Sequence, residues 1–137
     1  MKVRKTLASA LLLAGLGTSF AANAGDLILH NNTSLPSTAY VNIACSTTLL
    51  GAGGITQPGK ENRINTDLLW FPCAINASAC KADVYATKDC GESGAKPIAV
   101  VYLDLYTQQV TVGSVNDKYK VEVNPNNKLE VTLSQVG

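Results

Sequence analysis

Short segments of alternating apolar and polar residues dominate the chain from residue 26 onward. The alternation is strict at 110–112, 119–123 and 129–133, and a period of two residues is typical of a half-buried β-strand. The most apolar run, 98–106, predicts a central strand with both faces covered. Less regular segments predict further strands at 26–30, 38–44 and 81–87, and one bent strand or two across 61–66 and 68–73.

Turn-forming residues separate these segments, as at 114–117 and 124–127, and no amphipathic helix is evident. The pattern predicts an all-β protein, an antiparallel β-sandwich or small barrel of about eight or nine strands. We expect the last three strands to form a meander. On the strand 119–123, odd-numbered residues should face inward and even-numbered residues should face water.

Residues 1–24 have the features of an export signal. Three basic residues within the first five precede the apolar stretch 7–20, and Ala22-Asn23-Ala24 ends the segment. The stretch is shorter than the roughly 20 apolar residues of a membrane-spanning helix. We therefore expect cleavage after Ala24, no stable membrane anchor, and a single β-sandwich domain at 25–137 in the periplasm or outside a bacterial cell.

Removal of the signal changes the charge. The 137 residues carry 11 basic and 10 acidic side chains, and three of the basic ones lie in the signal. The remaining chain is therefore slightly acidic, with a net charge of −2. A nucleic-acid partner needs a basic surface, so we expect none, and anionic lipid is disfavoured for the same reason. Nothing in the sequence specifies an oligomeric state.

The four cysteines of an exported chain predict two disulfides. Their spacing is unlike that of a metal site, so we expect no metal and no cofactor. A strand starting at Cys80 travels roughly 20 Å to residue 86. The chain then returns at most about 14 Å by Cys90, whereas a disulfide needs Cα atoms within about 7 Å. The favoured pairing is Cys73–Cys80, across a hairpin loop, with Cys45–Cys90.

Candidates for catalysis are few. His30 is the only histidine, and we expect an ordinary residue at the end of a strand. The chain has no P-loop, dinucleotide fingerprint or zinc-protease motif. Asp83 and Asp104 lie within predicted strands and could approach one another as a carboxylate pair.

Candidates for binding lie in two further places. Tyr102 and Tyr106 flank Asp104 on one face of the strand 98–106, and tyrosines beside a carboxylate are suited to recognition. The alternative is a solvent-facing strand end with Asp104 paired to a lysine. Trp70 is either a core residue or, if exposed, a contact for a ligand or a membrane.

The longest irregular region is the loop 47–60, which contains Gly53 and Gly54. Long loops on a rigid β scaffold often carry binding function. We therefore count both glycines among the candidate binding residues.

The order of elements in the first half resembles a known group of folds. Asn31-Asn32-Thr33 follows the first strand, Gly53-Gly54-Ile55 and Pro58-Gly59 follow the second, and a strand with Ile64 comes next. This order is similar to the opening of thaumatin-like and aegerolysin-like β-sandwiches. The resemblance implies a β-sandwich but carries over no functional residue. The whole chain also resembles small four-cysteine exported proteins of Gram-negative bacteria.

These observations favour a non-enzymatic binding or interaction protein, stabilised by disulfides, whose partner is a protein or a surface glycan. One alternative is a small secreted hydrolase that uses Asp83 and Asp104. A second is an envelope- or membrane-active protein that oligomerises, with Trp70 as the contact.

Overall fold

The computed structural model describes residues 25–91 and 94–136, so the predicted signal at 1–24 lies outside the described residues. Within them, nine strands form two sheets. The strands are β1 (Asp26–Asn32), β2 (Thr38–Val41), β3 (Ala44–Cys45), β4 (Glu61–Asn65), β5 (Cys80–Tyr85), β6 (Ala99–Asp104), β7 (Gln109–Val115), β8 (Tyr119–Asn124) and β9 (Asn127–Gln135). The predicted all-β sandwich is confirmed.

The first sheet has the order β4-β1-β9-β8, and the second has the order β3-β2-β5-β6-β7. β1 pairs with β9 in parallel, which departs from the expected antiparallel pattern, and the other strand pairs are antiparallel. The predicted meander is wrong, because β7 belongs to the second sheet whereas β8 and β9 form a hairpin in the first. The chain crosses from one sheet to the other after Val115.

The core lies between the sheets and is built by one face of each strand. On β6, Ala99 and Leu103 point inward and are buried, whereas Tyr102 on the opposite face is exposed. β6 is an inner strand of its sheet, as expected, but only one of its faces is covered. β8 follows the predicted alternation, with odd-numbered residues half-buried and even-numbered Lys120 and Glu122 exposed.

Two segments differ from the predicted elements. The supposed loop 47–60 begins with a short helix, α1 (Ser46–Leu50), and a 3₁₀ turn at Gly51–Gly54. The segment 68–73 is not a strand. A 3₁₀ helix at Thr66–Leu69 follows β4 and continues as a series of turns to β5. The Asn65 side chain starts this helix by accepting the Asp67 N–H at 2.8 Å.

Both disulfides have the predicted pairing. Cys45 is bonded to Cys90 with the Cα atoms 5.9 Å apart, and Cys73 is bonded to Cys80 with the Cα atoms 5.3 Å apart. The first bond ties β3 to the segment after β5. The second closes the loop that precedes β5.

Candidate functional site

The residues grouped by sequence around Asp104 have separate roles. Asp104 Oδ1 accepts the N–H groups of Thr107 at 3.0 Å and Tyr106 at 2.9 Å, so the carboxylate organises the turn after β6. These bonds, that from Thr107 foremost, lower the pKa of Asp104 below its ordinary value of 3.8. Tyr102 instead lies on the outer face of the second sheet against Gly113, where a Cβ would be 2.7 Å from Tyr102 Cε2. Tyr102 and Tyr106 are 37% and 71% exposed, and a recognition patch formed by these two residues with Asp104 stays a prediction.

Trp70 and Tyr106 are brought together by the tertiary structure. Their ring centroids are 5.4 Å apart, and the rings meet edge to face at 74°. Trp70 is 37% exposed and Tyr106 is 71% exposed, so Trp70 is not a core residue. Sequence analysis selected both residues without relating them, because 36 positions separate them in the chain.

The loop that carries Trp70 holds further apolar side chains in solvent. Its inward side chains are buried; they are Leu69, Pro72, Cys73 and Ala77. Its outward side chains include Leu68 at 55%, Phe71 at 74% and Ile75 at 89% exposure. We call Leu68, Trp70, Phe71, Ile75 and Tyr106 the loop patch.

Hydrogen bonds and a disulfide fix the backbone beneath the loop patch. The Cys73–Cys80 bond closes the loop at its base. The Leu105 N–H donates to the Ala77 carbonyl at 2.7 Å, and Asn42 Nδ2 donates to the Pro72 carbonyl at 2.8 Å. These bonds hold the loop backbone in the conformation that places the Phe71 and Ile75 side chains in solvent. Several exposed large apolar side chains on one loop are a feature of interaction sites.

The charge around the loop patch is weakly acidic. Asp67 is the only ionisable side chain in the segment 64–79, which has no lysine or arginine. Asp104, two residues before Tyr106, already accepts hydrogen bonds from two backbone N–H groups. The patch thus offers apolar area and few free polar groups.

The carboxylate pair considered for hydrolysis is too far apart. Asp83 on β5 lies opposite Val100 on β6, four residues before Asp104. That offset places the two carboxylates roughly 13 Å apart along the strands, beyond the ~5–9.5 Å found in glycosidases. Asp83 lies instead 3.7 Å from Lys81 Nζ.

His30 is not at a strand end but within β1, in a polar network on the outer face of the first sheet. His30 Nε2 lies 2.6 Å from Glu130 Oε2, and His30 Nδ1 lies 3.8 Å from Glu61 Oε1. Asn124 Nδ2 donates to Glu130 Oε1 at 2.9 Å. The hydrogen bonds from His30 and then Asn124 lower the pKa of Glu130. Sequence analysis could not find this network, since it depends on the parallel pairing of β1 with β9.

A cavity of about 120 Å³ lies between the two sheets. Its lining is almost entirely apolar, with Leu27 and Leu29 from β1, Leu49 and Leu50 from α1, and Val101 from β6 among its residues. At about 24 cal/mol per Å³, leaving such a volume empty costs roughly 3 kcal/mol of stability. Sequence analysis missed the cavity because its lining has the same alternating pattern as a filled core.

Gly54 serves packing, whereas Gly53 is exposed and a Cβ there would meet only Leu50 Cβ at 3.9 Å. A Cβ at Gly54 would overlap the carbonyl of Ser46, so glycine lets the 3₁₀ turn lie against α1. Gly54 is buried and lines the cavity. The Gly53 carbonyl accepts a hydrogen bond from Asn62 Nδ2 at 2.8 Å, which ties the turn to the first sheet.

Two further properties concern the described part of the chain. It contains no group of three histidine, cysteine, aspartate or glutamate side chains arranged to hold a metal ion. None of the helices in residues 25–91 and 94–136 has the length and apolar character needed to cross a membrane.

Comparison with known proteins identifies a family that matches this chain. A family model described as "T2SS substrate NttC" matches residues 1–136. Among solved structures, the crystal structure of the Legionella pneumophila type II secretion system substrate NttC matches with a TM-score of 0.63 at 19% identity, covering 82% of this chain and 98% of that chain. At this identity the likeness shows a shared fold. No curated protein matches the chain.

The matching family is defined by secretion, and this confirms the prediction of a small exported protein. It is not the thaumatin-like or aegerolysin-like group that the first half resembles. The chain belongs to the T2SS substrate NttC family and is an exported protein.

Proposed function

We propose that this exported protein is a non-enzymatic binding module that docks onto another protein through the loop patch. The observation that carries the proposal is the braced loop, which holds Trp70, Phe71 and Ile75 in solvent on a backbone tied by a disulfide. Aromatic side chains are enriched at protein interfaces, and a few such anchors carry most of the binding energy. A rigid loop also loses little conformational entropy on binding.

The composition of the loop patch favours a protein over the other partners. Leu68 and Ile75 add aliphatic area, which suits a dry interface core. A glycan site would need several free polar side chains beside the rings, and the Asp104 carboxylate is already engaged. An anionic membrane would need basic residues near the patch, but the segment 64–79 has none.

The test compares binding by the wild-type protein, the double variant Phe71→Ser/Ile75→Ser and the control Val136→Ser. Val136 follows the end of β9 and is 54% exposed, so its replacement removes apolar exposure outside the loop patch. Proteins captured from bacterial envelope and host extracts are identified, and the affinity of each purified candidate is then measured by biolayer interferometry.

We expect the double variant to lose at least about tenfold in affinity, since each anchor of this kind contributes on the order of 1–2 kcal/mol. The control should bind as the wild type does. A partner whose affinity is equal for all three proteins would overturn the proposal. So would patch-dependent binding to a glycan array or patch-dependent leakage of liposomes without any protein partner.

A further inference from the structure

We propose that the cavity between the two sheets binds a small uncharged apolar molecule, about the size of one aromatic ring or a short alkyl chain. The site is separate from the loop patch, so this inference does not rest on the proposed protein docking. Its evidence is the chemistry of the lining, the incomplete burial of the lining side chains and the volume.

Side chains that should be fully buried retain contact with empty space. Leu27 and Leu29 of β1, Val101 of β6 and Val121 of β8 all point between the sheets, yet each is only half-buried. Elsewhere in the same core, Leu105 and Leu129 do not line the cavity and are buried. The half-buried side chains therefore surround a space that an apolar ligand would fill, and filling it would complete their burial.

Three polar side chains in the lining already make hydrogen bonds within the protein. Asn31 Nδ2 donates to the carbonyls of Leu35 at 2.8 Å and Thr56 at 2.9 Å. Ser46 Oγ donates to the Gly54 carbonyl at 2.7 Å. Thr38 Oγ1 likewise donates to a carbonyl, that of residue 87, at 3.0 Å. A ligand in the cavity therefore has no unsatisfied donor to bind on these three side chains.

Charged ligands are excluded by the same lining. Among the described residues around the cavity there is no lysine, arginine, aspartate or glutamate. The one ionisable side chain there, His30, is engaged on the outer face of the first sheet, where its Nε2 lies 2.6 Å from Glu130 Oε2. A charged group placed there would lose its hydration and gain no partner. The portion of the ligand inside the cavity is therefore uncharged and apolar.

The volume sets the size of the ligand. An engineered cavity of about 150 Å³ lined by leucine, isoleucine and phenylalanine stays dry and binds benzene. The present cavity has a volume of about 120 Å³ and a similar lining. A single ring or a short alkyl chain is therefore the matching class.

The experiment uses the exported protein purified from the culture medium, with toluene as the probe and benzoate as its charged counterpart. Binding is followed by methyl ¹H–¹³C spectra and by the thermal unfolding midpoint. We expect toluene to shift the methyl signals of Leu27, Leu29 and Val101 and to raise the midpoint, whereas benzoate should do neither.

Two variants locate the binding. Ala82 and Ala39 both line the cavity, so Ala82→Leu and Ala39→Val each reduce its volume. We expect each to weaken toluene binding about tenfold or more, because the added methyl groups occupy the space of the ligand. Ala44→Val is the matched control, since Ala44 is half-buried on β3 and is not part of the lining.

Three results would overturn the inference. The first is the absence of methyl shifts at the solubility limit of toluene. The second is toluene affinity that is unchanged in both folded cavity variants. The third is loss of toluene binding in Phe71→Ser/Ile75→Ser, which would locate the probe at the loop patch instead.

Discussion

Replacement of Ala82 by valine should stabilise the protein, although most substitutions in a β-sandwich core destabilise it. Ala82 on β5 faces the cavity and is half-buried. Valine adds two methyl groups, worth up to about 1.6 kcal/mol if both become fully buried. Because the cavity is not wholly closed, we expect a gain of about 1 kcal/mol, which raises the unfolding midpoint by roughly 4 °C in a domain of this size. The β propensity of valine acts in the same direction.

A control with the same chemical change is available on the neighbouring strand. Ala99 on β6 also points into the core, but it is 3% exposed and does not line the cavity. Ala99→Val should overpack the core and cost about 1–3 kcal/mol. Both variants are measured by urea unfolding with the wild type. A loss of stability in Ala82→Val comparable to that in Ala99→Val would refute the reasoning, because it would mean that no free space lies beside Ala82.

Three further predictions concern the disulfide, the polar network and the 3₁₀ turn. Replacing Cys73 and Cys80 together by alanine should lower the free energy of unfolding by about 2–3 kcal/mol in urea titrations, because the unfolded chain regains the freedom of the closed loop. In Glu130→Gln, stability should depend less on acid pH. The folded state lowers the pKa of Glu130 from its ordinary value of 4.5, mainly through His30, so its contribution is complete above that value and is lost as pH falls through the lowered pKa. Thermal unfolding between about pH 3 and pH 6 measures the difference. Gly54→Ala should cost at least about 2 kcal/mol in urea unfolding, because the added Cβ overlaps the backbone of α1.

Each of these three predictions would be contradicted by a different result. Unchanged stability on removal of the disulfide would mean that hydrogen bonds alone hold the loop. A Glu130→Gln variant with the acid sensitivity of the wild type would show that the contact with His30 does not form in solution. An unaltered Gly54→Ala variant would mean that α1 shifts without cost.

The local pattern of apolar and polar residues was sufficient to predict much of the fold. Alternation at 119–123 and 129–133 predicted β8 and β9, because a period of two residues reflects the pleat of a strand with one buried face. The reach of a strand that begins at Cys80 disfavoured Cys80–Cys90, and a hairpin loop over 74–79 favoured the Cys73–Cys80 pairing that the structure has. Segment 68–73 was misassigned because its apolar residues lack a period, and the Asn65 side chain starts a 3₁₀ helix that continues as turns instead.

The candidate site was less predictable because it depends on contacts between distant segments. Trp70 and Tyr106 were each selected for their chemistry, but their contact requires the turn organised by Asp104 to lie beside the disulfide-closed loop. The cavity was invisible in the sequence for a different reason. Leu27 and Val101 have the pattern of core residues whether or not the opposing sheet fills the space between them.

The amino-acid sequence by itself predicted most of the strands, the disulfide pairing and the export of the chain, since each prediction depends on residues that are close together along the chain or on the reach of a short segment. Only the tertiary structure decided that β1 lies parallel to β9, that Glu130 reaches His30, that the loop patch is exposed and that the sheets leave a cavity. These features depend on which side chains meet across the two sheets, and alternation along a single strand carries no information about the residues it will face.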